Sequence, residues 1–226
     1  MLRTIPRVPV FTQGLVYDKG LLYESSGNYG HSGVRILRAE SGDLVKSVPS
    51  PTTVFGEGLA LVGDALYQLT WREEKSYTYD RSTLQIKYFA SYDGEGWGLA
   101  VWKGMFVMTD GSSLLTFRQI QDFKVVSKKK VTLEGEPLRR LNELEVSPEG
   151  LLANVWHENF IAVIDPSSGA VQAVIDAENL VRLAKPPHNE AVLNGIAWAP
   201  EKESYFVTGK DWNLMFEVRL LKQPRR

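Results

Sequence analysis

Apolar residues in this chain come in short runs, often alternating with polar ones, and turn-forming residues close each run. Gly14-Leu15-Val16-Tyr17, Leu21-Leu22-Tyr23-Glu24-Ser25, Gly33-Val34-Arg35-Ile36-Leu37-Arg38 and Leu44-Val45-Lys46-Ser47-Val48 are separated by Lys19-Gly20, Gly27, Gly42-Asp43 and Pro49. Period-two alternation bounded by turn residues predicts short β-strands. Gly63-Asp64, Pro148-Glu149-Gly150 and Asp165-Pro166-Ser167-Ser168-Gly169 mark further turns. Helical periodicity is confined to Ala177–Leu183, enough for one or two turns, and residues 184–189 with Pro186-Pro187 read as an ordered loop.

The strands belong to a repeat. Phe11-Thr-Gln-Gly-Leu-Val, Phe55-Gly-Glu-Gly-Leu-Ala, Glu95-Gly-Trp-Gly-Leu-Ala, Leu141-Asn-Glu-Leu-Glu-Val and Leu193-Asn-Gly-Ile-Ala-Trp open five units, spaced 40 to 52 residues apart. Each is followed by a second segment: Tyr23-Glu-Ser-Ser-Gly, Tyr67-Gln-Leu-Thr-Trp, Val107-Met-Thr-Asp-Gly, Ala153-Asn-Val-Trp-His and Phe206-Val-Thr-Gly-Lys. Such a period, filled with short strands and hairpin turns, predicts an all-β, five-bladed propeller with four-stranded antiparallel blades, one domain over residues 1–226. The fifth unit offers three strands, around Gly195–Trp198, Tyr205–Thr208 and Leu214–Leu220, before the polar Lys222–Arg226. Its fourth is expected from Arg3–Val10, closing the ring between the two termini and removing two exposed edges. Pro6 and Pro9 suit an outer-rim strand.

Composition narrows the chemistry. The chain has 26 Lys and Arg against 27 Asp and Glu, a formal charge of −1, so no basic field draws a polyanion. Lys128-Lys129-Lys130 reads as a solvated turn rather than a nucleic-acid site. The absence of cysteine excludes disulfides, thiolate catalysis and zinc–thiolate sites. No apolar run approaches a membrane span. Met1–Val10 carries Arg3, Arg7 and two prolines but no apolar core of a secretory signal, which leaves the compartment open.

In a propeller the innermost strands converge on the axis, so the third residue of each unit's opening segment is expected to face it: Gln13, Glu57, Trp97, Glu143 and Gly195. Unlike side chains on a symmetric frame point to a binding site; a channel that merely collects water and polar groups is the alternative. Trp71, Trp97, Trp156, Phe11 and Phe55 are expected at the same mouth, around Gln13, Glu57, Asn142 and Lys210, as an apolar pocket with a few placed polar groups. His31, His157 and His188 show no ligand spacing and read as loop histidines. Glu57 is the one carboxylate expected at the pocket centre.

The same segments, with Leu22-Tyr-Glu-Ser-Ser-Gly-Asn-Tyr-Gly, Thr109-Asp-Gly-Ser and Ala153-Asn-Val-Trp, resemble the plant-type glutaminyl cyclases from Phe11 to about Val218. The resemblance implies a five-bladed propeller that converts N-terminal glutamine of peptides or proteins to pyroglutamate with release of ammonia. It implies Glu57 as general acid/base and Asn142 as the holder of the substrate's γ-amide. Gln13, Trp97 and Lys210 become other pocket groups, with Phe11, Phe55, Trp71 and Trp156 as aromatic walls. No metal or organic cofactor is required, and a monomer without nucleic-acid or membrane partners is expected. With an ordinary carboxylate pKa near 4.3, Glu57 would rest ionised at neutral pH. Two alternatives stay open: a metal-dependent lactonase-like hydrolase with Glu57, Asn142 and Asn194 around Ca²⁺, and a non-catalytic protein-binding propeller.

Overall fold

The first strand in the chain is the last in the ring. The computed structural model describes residues 1–221, so the Lys222–Arg226 tail lies outside the described residues. Strand β1 (Arg3–Pro6) precedes four complete blades. Blade 1 comprises β2 (Thr12–Asp18), β3 (Leu21–Ser26), β4 (Gly33–Arg38) and β5 (Leu44–Pro49). Blade 2 comprises β6 (Gly56–Val62), β7 (Ala65–Thr70), β8 (Lys75–Asp80) and β9 (Ile86–Ser91). Blade 3 comprises β10 (Leu99–Trp102), β11 (Met105–Met108), β12 (Leu114–Gln119) and β13 (Val125–Lys130). A small hairpin, β14 (Thr132–Leu133) and β15 (Glu136–Pro137), leads to blade 4: β16 (Leu141–Ser147), β17 (Gly150–Val155), β18 (Phe160–Ile164) and β19 (Val171–Asp176). After a short helix, α1 (Glu178–Ala184), blade 5 supplies β20 (Leu193–Ala199), β21 (Ser204–Gly209) and β22 (Leu214–Val218). Its fourth strand is β1, paired antiparallel to β22 from Arg3↔Glu217 to Pro6↔Leu214. The closure expected from the sequence is present, but the strand ends at Pro6 rather than Val10.

Burial falls from the axis outward. Inner strands such as β6 are almost wholly buried, whereas the outer β5, β9, β13 and β19 are mostly exposed. Apolar side chains pack between neighbouring blades, giving five clusters, one per interface. Leu59, Leu66 and Tyr79 join blades 1 and 2 with Tyr23 and Val34, while Ile5, Leu15 and Phe206 join blades 5 and 1. Lys128–Lys130 corrects an expectation: these residues are not a turn but the end of β13. An outermost edge strand has no further partner, and lysines there keep it solvated and discourage edge pairing.

The register also corrects the reading of the axis-facing residues. Pairing makes Leu15, Leu59, Leu99, Leu144 and Ile196 equivalent, opposite Glu24, Gln68, Met108, Ala153 and Val207. Two positions upstream lie Gln13, Glu57, Trp97, Asn142 and Asn194, so the expectation for blades 4 and 5 was displaced by one residue. Leu141 and Leu193, matched by their apolar character to Phe11 and Phe55, are buried core residues equivalent to Thr12 and Gly56. A one-residue slip turns a side chain to the opposite face. Glu143 does face the axis but stays out of the cavity lining: it reaches across to blade 1 and to blade 5, accepting hydrogen bonds from the backbone N–H of Leu15 (3.2 Å) and Ile196 (3.0 Å). Gly195, at φ 115°, has no side chain to contribute.

Candidate active site

A cavity of about 380 Å³ opens at the mouth where the inner strands begin. It is lined by Phe11, Gln13, Phe55, Glu57, Trp71 and Trp97, and across from them by Asn142, Trp156 and Lys210. All nine residues expected at the pocket therefore line it. They come from equivalent places: Gln13, Glu57, Trp97 and Asn142 open the inner strands, while Trp71, Trp156 and Lys210 follow the second strands. Backbone hydrogen bonds tie the two sets together, from Trp71 N to Phe55 O (2.9 Å) and from Trp156 N to Arg140 O (2.9 Å).

Glu57 sits deep in this cavity, 4% exposed. Its Oε1 accepts a hydrogen bond from Gln13 Nε2 at 2.8 Å. Gln13 is fixed in turn, its Oε1 accepting from Asn194 Nδ2 at 3.2 Å while that amide also donates to Thr12 O at 2.9 Å. Glu57 Oε2 is buried and has no partner among the described residues, and neither has Asn142 Oδ1. An unpaired buried oxygen is costly to leave unmade. Two of them in one cavity suit a ligand that brings N–H donors.

Burial pushes the Glu57 carboxyl well above its ordinary pKa; Lys210 pulls it back, and Glu95 and Glu73 push it further up. Removing the carboxylate from water disfavours its charged form, so Glu57 holds a proton more tightly than the ordinary carboxylate assumed from the sequence. Lys210 is buried as well, which lowers its pKa, opposed by Glu57, Glu190 and Asp211. Its Nζ stands 4.8 Å from the centre of the Phe11 ring.

The walls are a connected aromatic set. Phe55 meets Phe11 edge-on at 5.9 Å, Trp71 at 5.6 Å and Tyr29 at 5.5 Å between centroids, and Trp97 meets Trp156 edge-on at 5.7 Å. Two glycines make room for them. A Cβ at Gly27 would lie 2.2 Å from the Phe55 ring, and one at Gly111 would lie 2.7 Å from Trp97. The three histidines are exposed, as expected; the His157 ring lies tilted against Trp156, 4.4 Å between centroids.

Three further lining residues escaped the sequence reading: Arg72, Glu95 and Glu190. Glu95 stood in plain view at the start of the third unit, two residues before Trp97, but nothing in the repeat marked it as polar lining. The rival Ca²⁺ set contains a single carboxylate, and one of its oxygens is already occupied by Gln13. Among the described residues no three His, Cys, Asp or Glu side chains cluster as metal ligands.

Comparison with known proteins gives a consistent result. A family model described as glutamine cyclotransferase matches residues 3–220. The glutaminyl-peptide cyclotransferase of Arabidopsis thaliana is 39% identical over 214 residues, spanning 93% of this chain and 67% of that protein. The crystal structure of Myxococcus xanthus glutaminyl cyclase superposes with a TM-score of 0.90 at 41% identity, covering 96% of this chain and 94% of that one.

Proposed function

The chain belongs to the glutamine cyclotransferase family and is a glutaminyl-peptide cyclotransferase, and we propose that Glu57 is the single group that carries its proton transfers. The substrate is a peptide whose N-terminal glutamine closes on itself. The α-nitrogen attacks the γ-carbonyl carbon, the bond from that carbon to the amide nitrogen breaks, and ammonia leaves. One proton must travel from the first nitrogen to the second.

The observation that carries this reading is Glu57 itself: a buried carboxyl with one oxygen held by Gln13 and the other unpartnered in the cavity. Its raised pKa makes the carboxylate a stronger base than usual, able to take a proton from the bound ammonium and leave a nucleophilic amine. The protonated carboxyl then gives that proton to the departing nitrogen, and recovers one from the ring nitrogen as the lactam forms. Lys210 stabilises negative charge developing on the carbonyl oxygen. Gln13, expected as a possible donor for that oxygen, is better read as the clamp on Glu57, since both ends of its amide are occupied. Asn142 Oδ1 accepts the γ-amide N–H. Trp97 and Trp156 hold the side chain folded toward attack, where orientation contributes much of the rate. We read the chain as a monomer working without nucleic acid or membrane: one chain supplies every lining residue, and its charges nearly balance.

The test is ammonia release from a short Gln-initiated peptide, beside the same peptide with its amine acetylated and beside a chelator-treated sample. Release should require the free amine and be unchanged by chelation. Inactivation that Ca²⁺ reverses would instead make Glu57 and Asn142 metal ligands and remove Glu57 from the proton path.

A further inference from the structure

Two of the pocket's indoles share one acceptor. Glu95 Oε2 accepts hydrogen bonds from Trp71 Nε1 at 2.8 Å and Trp97 Nε1 at 3.0 Å, while its Oε1 accepts from Arg72 Nε at 3.0 Å. The Arg72 guanidinium carbon lies 3.7 Å from the centre of the Trp71 ring, on which it stacks. Glu95 thus joins the end of blade 2 to the start of blade 3 within the cavity wall.

Local geometry explains why this carboxylate serves both rings. Glu95 and Trp97 are two apart along the chain, close enough for the Trp97 indole to turn back onto the Glu95 carboxylate. Between them, Gly96 N donates to Trp71 O at 2.9 Å, which brings the blade 2 tryptophan alongside. Any side chain at Gly96 would collide, its Cβ falling 2.3 Å from the Tyr92 hydroxyl and 2.7 Å from Thr70 O. An indole has one polar atom, a donor, and its ring otherwise makes only weak aromatic and dispersion contacts. Its N–H bond is therefore the main device that selects one ring orientation. A hydrogen bond to an ionised acceptor is stronger than one between neutral groups; the bonds from Trp97, Trp71 and Arg72 outweigh partial burial to hold the Glu95 pKa low.

Resting on the assignment of this pocket to glutamine cyclisation, we propose that Glu95 is a positioning residue, whose carboxylate fixes the orientation of Trp71 and Trp97 and so the shape of the wall against which the glutamine side chain folds. It does not touch the reacting atoms; it acts through the two rings. Loss of the acceptor frees both indoles, and the folded, near-attack conformer of the substrate is no longer favoured.

The experiment compares wild type, Glu95→Ala and Glu95→Gln by steady-state kinetics on a Gln-initiated peptide and by near-ultraviolet circular dichroism of the indoles, with far-ultraviolet spectra to verify the fold. Glutamine retains a carbonyl oxygen for both indole N–H groups but loses the charge. Glu95→Ala should lower kcat/KM by roughly 10- to 100-fold, as small displacements in an active site do, and should weaken the indole bands. Glu95→Gln should restore most of both. Wild-type kinetics and spectra in Glu95→Ala would overturn the proposal. So would equal impairment of the two variants, which would assign the effect to charge rather than to the acceptor. If no Gln-peptide releases ammonia even with wild type, the cyclisation reading fails, and the indole spectra still decide whether Glu95 fixes the rings.

Discussion

At the scale of single residues, the decisive quantity is the proton affinity of Glu57. The sequence shows a glutamate between two glycines, which says nothing about burial; an ordinary, ionised carboxylate was the natural expectation. In the structure burial raises its pKa, Lys210 opposes the rise, and Glu95 and Glu73 add to it. The sign of the pH dependence follows. In acid both Glu57 and the substrate amine hold protons, and no nucleophile exists. As pH rises, the pair loses one proton, first from its more acidic member, and becomes reactive. With Glu57 as that member, the rising limb of kcat/KM titrates Glu57, above the usual carboxylate value of about 4.3. It should stay fixed across peptides whose amine pKa values differ. Lys210→Met, which deletes the charge that favours ionised Glu57, should move the limb further up as well as slowing turnover. A limb that follows the substrate amine would mean that Glu57 holds its proton more tightly than the amine does and that its ionisation does not set the limb.

At the scale of elements, the glycines opening the inner strands explain the repeat that made the fold legible. A Cβ on Gly14 would lie 2.4 Å from Leu59 N, one on Gly58 2.5 Å from Leu99 N, and one on Gly98 2.0 Å from Asn142 O. Each of these three glycines is the contact surface for the next blade's inner strand. Thr109 Oγ1 completes the third contact, accepting from Gly98 N at 2.7 Å and donating to Asn142 O at 2.8 Å. Gly98→Ala should therefore push blades 3 and 4 apart just where Asn142 is held. Overpacking of this kind costs about 1–3 kcal/mol, and thermal unfolding should show a Tm lowered by several degrees with weakened turnover. An unchanged Tm would mean that the strands separate freely. Gly-Leu was readable in blades 1 to 3 because those glycines recur. In blade 4 the glycine position holds Glu143, and the reading slipped by one residue. Only the pairing of β16 with β17 restores it, placing Asn142 rather than Glu143 at the cavity.

At the scale of the whole molecule, the count of blades and the manner of closure were legible, since both depend on local strand signals repeated along the chain. The bonds that secure the closure were not, because they join distant positions. Arg7, just past β1, is buried and reaches Glu24 of blade 1 at 2.5 Å and Thr208 of blade 5 at 3.0 Å, while Arg35 contacts Glu24 from the other side at 2.6 Å. Burial alone would raise the Glu24 pKa; the two guanidiniums outweigh it and hold it low. A buried pair of this kind is weak support for stability but strongly penalises any arrangement that separates its members. It therefore pins the terminal strand in one register. The aromatic mouth was likewise legible as a gathering of residue types. The bonds that orient it, with Glu95 at their centre, span blades 2 and 3 and have no sequence signature.

All of this converges on one carboxyl group. Glu57→Gln replaces the carboxyl by a neutral amide of the same shape, which can still accept from Gln13 but can neither take nor give the proton. Turnover of a Gln-initiated peptide, measured as ammonia released by folded enzyme at saturating substrate, should fall by about 10²–10⁴-fold, the usual contribution of general acid–base catalysis. A rate close to that of the wild type would contradict the central claim and place the proton path elsewhere.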